Sequence, residues 1–261
     1  MELTDWQPLS DRGPDLVLCL DFPGGRAEAG FAELAAAVPV DACFLHIGHS
    51  GFAGVESLDT GVARWVAQAR STGRPVRAVL GYCAGAALAT GVADAVAATG
   101  PPPVVLLFDA VATAGGSLCG EFIAAVESSA GHLTADELDG ARLLAEELLE
   151  SRPDDLPGLA AELRDRYDRL MGAVAQRLSL NEFFRQELTR GFTAYLDYLL
   201  LASQGRFELR DATPLFLSSK DHEPPADGVR NISLDAGHTE LLRDAEVHKL
   251  VAGLLRGEQQ W

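Results

Sequence analysis

The stretch from Val76 to Ala98, "VRAVLGYCAGAALATGVADAVAA", constrains the fold more than any other part of the chain. An apolar run at 76–80 leads through G-Y-C-A-G into a segment rich in alanine and other small residues. That order predicts a strand, a sharp turn and a helix packed closely on the strand. Gly81 and Gly85 are needed because side chains there would collide with the neighbouring strand and helix, and the turn holds Cys83 in a strained conformation.

The rest of the first half repeats the alternation. Apolar, valine- and leucine-rich runs at 16–20, 42–47 and 104–108 are separated by helix-like segments at 28–37 and 59–70, with 84–98 following the turn. Strands that read as continuously buried and alternate with helices predict a mostly parallel sheet covered on both faces. From about Ser117 to Gly205 the texture becomes acidic and leucine-rich at helical spacing, with Pro153 and Pro157 as breaks. The sheet pattern resumes at 213–221 and 229–238, and a final helix is expected from about Thr239 to Leu255. The expectation is an α/β core of residues 1–116 and 206–261, with a helical insertion at 117–205 reading as a lid over the strands' C-terminal edge.

The chain has 38 acidic and 21 basic residues among 261, a formal net charge of -17. That balance argues against binding phosphate backbones or anionic lipid surfaces. The N-terminal stretch lacks the basic-then-apolar order of a secretory signal, and no apolar run is long enough to span a bilayer, so a cytoplasmic location is expected. The four cysteines, Cys19, Cys43, Cys83 and Cys119, form no C-x-x-C pair and show no zinc-ligand spacing, so neither a metal nor a disulfide scaffold is expected. Cys19 and Cys43 lie in apolar strand-like runs and read as core residues; Cys119 reads as structural.

Cys83 reads as a nucleophile, and a nucleophile on such a turn needs a carboxylate and a histidine later in the chain. His238, in "AGHTELL", follows the last strand and is the expected base. His46 and His49 end a strand at the same sheet edge and are candidates to line a pocket, whereas His132, His222 and His248 read as loop or helix-surface residues. Two carboxylates end apolar runs. Asp109, which closes "VVLLFD", is favoured because an acid there is costly without a partner; Asp221, at the end of the next strand, is the alternative. An oxyanion hole requires two backbone N–H groups. Ala84 should supply one, and Phe22 or Gly24 in "LDFPGG" the other, since Pro23 has no N–H.

With these elements in place, the chain resembles the thioesterase domains of nonribosomal peptide and polyketide synthases, which have the α/β-hydrolase fold. "LVLCLDFPGG" is similar to that family's opening strand and glycine-bearing loop, and "GYCAG" stands in the place of its G-x-S-x-G. "VVLLFDAVAT" is similar to its strand ending in the catalytic aspartate, "AGHTELL" to its G-x-H motif, and the helical block to its lid. The departures are the cysteine nucleophile and Ala86 where a further glycine is usual. A weaker resemblance links "GYCAG" to dienelactone hydrolases, which would make Asp221 the acid; the long helical insertion argues against it.

The resemblance implies an enzyme that moves an acyl or peptidyl chain from a phosphopantetheine arm through an acyl-Cys83 intermediate, with an acyl or peptidyl carrier as partner and no bound cofactor. The competing readings are an ester or lactone hydrolase acting on free substrates and a non-catalytic acyl-binding protein. An acidic carrier would be repelled by this charge balance unless the two are linked or a basic patch intervenes. Arginines 64, 70, 74 and 77 cluster before the turn, although ordinary surface charge is the leading reading for them.

Overall fold

The computed structural model describes residues 3–23, 30–225 and 229–258. Chain contacts divide it into two units, one of residues 1–112 and 204–261 and the other of residues 113–203.

The first unit carries the sheet. Its strands are β1 (Trp6–Pro8), β2 (Asp15–Leu20), β3 (Ala42–Ile47), β4 (Val76–Tyr82), β5 (Val104–Phe108), β6 (Leu215–Ser218) and β7 (Asn231–Ser233). They lie in the order β1-β3-β2-β4-β5-β6-β7. β1 pairs antiparallel with β3, and each of the other neighbouring pairs is parallel. The helices of this unit are α1 (Phe31–Ala37), α2 (His49–Phe52), α3 (Leu58–Ser71), α4 (Gly85–Ala97) and, at its end, α9 (Ala245–Arg256).

β4 holds the centre of the sheet, where a strand buried on both faces must be apolar or very small. Leu80 and Tyr82 face the cluster that includes Leu217, Leu241, Leu242 and Val251. Gly81 faces the opposite way, onto α4. A Cβ on Gly81 would lie 2.5 Å from the Ala86 Cα and 2.7 Å from the Ala89 Cβ, so strand and helix touch backbone to backbone. Gly85 is as tightly placed against the Leu20 carbonyl. Gly81→Ala should therefore cost about 2–3 kcal/mol of stability, read from chemical denaturation, because an overpacked backbone contact has no flexible side chain to yield. A loss below about 0.5 kcal/mol would contradict this packing.

Two expectations change at the ends of the chain. The short β1 was not anticipated. The final helix begins later than expected: residues His238–Arg243 form a 3-10 turn, and α9 starts only after Asp244, whose carboxylate caps the N–H groups of Glu246 and Val247. Of the first expected helix, residues 28 and 29 lie outside the described residues.

The second unit is helical throughout its described residues: α5 (Gly115–Glu127), α6 (Ala135–Ser151), α7 (Leu156–Arg177) and α8 (Glu182–Ala202), with a 3-10 turn at Ala130–His132. Pro153 does follow a helix end, but Pro157 lies in the first turn of α7, where its missing N–H costs nothing. Inside this unit Phe192 packs against Tyr167 and Phe122, at ring-centroid distances of 4.4 Å and 6.0 Å. Phe183 and Phe184, at the start of α8, remain exposed.

Candidate active site

Cys83 sits between β4 and α4 with φ +52°, in the left-handed region that a residue with a Cβ normally avoids. The turn is stitched to the neighbouring strand. Cys83 N–H donates to the Phe108 carbonyl at 2.9 Å, and the Cys83 carbonyl accepts from Val111 N–H at 3.3 Å and Ala86 N–H at 3.1 Å. Asp109, one residue beyond β5, also has a positive φ, +40°. Among the described non-glycine residues only Ser179 shares this conformation. Such strain persists where surrounding structure imposes it, and it concentrates at functional sites.

Asp109 is fully buried, yet both of its oxygens are satisfied. Oδ1 accepts the Ser219 N–H at 2.7 Å, and Oδ2 lies 2.6 Å from His238 Nδ1. Burial pushes this carboxyl up, but the hydrogen bonds from His238 and Ser219 outweigh that and hold it below the ordinary aspartate value. An ionised acceptor on Nδ1 puts the imidazole proton there, which leaves Nε2 as the nitrogen that can take a proton. Asp221 stands elsewhere, exposed in the turn after β6. The position beside Asp109 that the end of β6 offers is taken by Ser219.

The sheet thus brings Cys83, Asp109 and His238 to the C-terminal edges of β4 and β5 and the loop after β7. Cys83 is the only one of the four cysteines that is not buried. Burial raises the thiols of Cys19, Cys43 and Cys119, Cys19 well above the usual value, which keeps them protonated and unreactive. Ala84 directly follows Cys83 at the N-terminus of α4, where orphan N–H groups and the helix dipole favour negative charge. Phe22 N–H is engaged by the adjacent Asp21 carboxylate at 2.8 Å. Gly24 lies outside the described residues. Among the described residues no group of three or more His, Cys, Asp or Glu side chains could hold a metal ion.

The secondary candidates sort themselves by environment. His46 is pushed down to about 4, mainly by burial, and is neutral at physiological pH; its ring lies 6.0 Å from that of Phe31. His49 packs edge-on against Phe22 at 5.3 Å. His222 is not merely a surface residue: its Nε2 is 3.1 Å from the Ala110 carbonyl, next to Asp109. Tyr82 was not anticipated at all. Its ring is fully buried, and its hydroxyl donates to the His238 carbonyl at 2.7 Å. The four arginines before the turn are committed within the fold: Arg64 to Asp5, Arg70 to the Ala95 carbonyl, Arg74 to Asp11 and Arg77 to the Leu255 carbonyl.

Neither a protein-family model nor a curated protein matches the sequence. Solved structures do match in fold. A four-domain nonribosomal peptide synthetase, holo-AB3403 bound to AMP and glycine, aligns over 99% of this chain at 15% identity and TM-score 0.56. This chain spans 20% of that protein. The NocB thioesterase domain, in covalent complex with a fluorophosphonate nocardicin G analogue, aligns over 97% of this chain and 98% of its own at 17% identity and TM-score 0.50. RedJ, with a polyethylene glycol molecule in its active site, aligns over 94% and 92% at 15% identity and TM-score 0.52. The chain has the α/β-hydrolase fold. In this fold Cys83 lies at the turn between β4 and α4, and Asp109 and His238 come later in the chain, at the end of β5 and in the loop after β7. No helix among the described residues is long and apolar enough to cross a membrane.

Proposed function

We propose that this α/β-hydrolase is a thioesterase-type enzyme of nonribosomal peptide or polyketide assembly that releases or transfers an acyl chain through Cys83. The observation that carries the reading is the strained, accessible Cys83 at the elbow, on the sheet edge where Asp109 holds His238 at 2.6 Å. Cys83 Sγ, losing its proton to His238 Nε2, attacks the carbonyl carbon of a phosphopantetheine thioester. The new C–S bond replaces the old one, and the departing pantetheine sulfur takes the proton back from His238. An amine, hydroxyl or water then gives its proton to His238 and attacks the acyl-cysteine, and Cys83 leaves as thiolate.

Backbone N–H groups, beginning with Ala84, stabilise the oxyanion in each half. Exchanging one thioester for another is nearly isoergic, so the acyl group stays activated until its acceptor arrives. The use of Asp109 supports this reading over the dienelactone-type one, in which Asp221 would orient the histidine. The partner in this scheme is an acyl or peptidyl carrier; of the arginines before the elbow, Arg64 and Arg74 are ion-paired within the fold, while Arg70 and Arg77 bond neutral carbonyls and keep their charge.

Intact-protein mass after exposure to an acyl-pantetheine thioester tests the proposal. One acyl group should appear, map to Cys83 and be absent from Cys83→Ala. An adduct on Cys19, Cys43 or Cys119 would overturn it, as would rapid turnover of a free lactone with none of the thioester.

A further inference from the structure

Resting on the same reading of the site, we propose that Tyr82 is a positioning residue: its hydroxyl pins the His238 main chain and lies against the imidazole, where it stabilises the positive charge that develops when Cys83 gives up its proton. Tyr82 ends β4 and directly precedes the nucleophile, so the strand that aims Cys83 also reaches across to the histidine loop. A phenol has one proton to give and two lone pairs. The proton goes to the His238 carbonyl, at 2.7 Å. The same oxygen lies 3.0 Å from Nδ1 and 3.3 Å from Nε2, and the two rings meet at 5.2 Å with a 53° tilt. With its proton pinned elsewhere, the oxygen presents its lone pairs to the imidazole.

Nδ1 already donates to Asp109. An imidazolium at His238 is therefore faced by a buried carboxylate on one side and an electron-rich oxygen on another, and both favour the positive charge. Stabilising the imidazolium stabilises a thiolate at Cys83, because the two charges form together. The other charged or titratable groups around this turn are His222 beside Asp109, Glu240 and Arg243 on the turn itself, Glu33 of α1 near Arg243, and Asp244, Glu246 and His248 around α9.

The test is the pH dependence of Cys83 alkylation by iodoacetamide, followed on the Cys83 peptide by mass spectrometry. It needs no acyl donor, so its outcome is separate from whether Cys83 accepts an acyl chain. Tyr82→Phe keeps the ring and removes the oxygen; it should lower the neutral-pH plateau of the profile, slowing alkylation there by about fivefold to tenfold. Tyr82→Leu, a second oxygen-free variant, should lower the plateau the same way. In a His238→Ala background neither substitution should move the profile. A lowered Tm with an unmoved profile would make Tyr82 purely structural and overturn the proposal. So would an equal slowing in the His238→Ala background, which would place the effect on the sulfur directly.

Discussion

Cys83→Ser should keep some hydrolysis but lose acyl transfer to an amine or hydroxyl disproportionately, whereas Cys83→Ala should lower turnover by roughly 10⁵-fold or more. Serine forms an oxoester, a poorer acyl donor than the thioester it replaces, and so gives up part of the activation before the acceptor arrives. The measurement is the ratio of transferred to hydrolysed product, taken with one carrier-like thioester and one competing nucleophile for the native and serine proteins. A ratio left unchanged would show that sulfur does not select the outcome. An acyl-serine that forms and discharges slowly would still place the nucleophile at position 83.

Asp109→Asn should reduce turnover by about two to four orders of magnitude while the protein remains folded. Asparagine can hold Oδ1 against Ser219 N–H, but its amide offers a donor or a weak acceptor to Nδ1 and no longer fixes the proton there. Near-normal rates in this variant, with a collapse in Asp221→Asn, would transfer the role to Asp221. A second readout is stability against pH. The native carboxyl is held below its usual value, so its contribution to stability is complete above the unfolded aspartate pKa and is lost as pH falls through the native one. Asp109→Asn should accordingly flatten the acid side of the unfolding profile, and a profile as steep as that of the native protein would contradict the assignment of the charge.

The parts of this molecule that could be read from sequence are those encoded locally. The elbow announces itself through Gly81 and Gly85, which are neighbours of Cys83 in the chain, and Asp109 and His238 each close or follow a run with strand character. What escaped reading is formed across the sheet. Ser219 meets Asp109 through an N–H that no sequence pattern marks, and Tyr82 reaches His238 across 156 positions. A polar-tipped aromatic at the buried end of a central strand was the available signal, since such a hydroxyl needs a partner. β1 was too short and contained a proline, so it showed no alternation. The leucines of the 3-10 turn at His238–Arg243 continue the helical spacing of α9, and the cap at Asp244 is the cue that separates the two.

Positions 83 and 109 share a left-handed backbone but would fare differently under selection. A library screened only for folding or abundance should enrich glycine or asparagine at position 83, since these residues accept the conformation with less strain than cysteine, but should keep aspartate at 109, whose buried carboxylate holds two hydrogen bonds. The same library screened for acyl turnover should reject both residues at position 83. A position where the screens disagree would mark the nucleophile without any substrate being known, and a chain that drifted free of its catalytic duty should lose its sulfur there before it loses the carboxylate that also supports the fold.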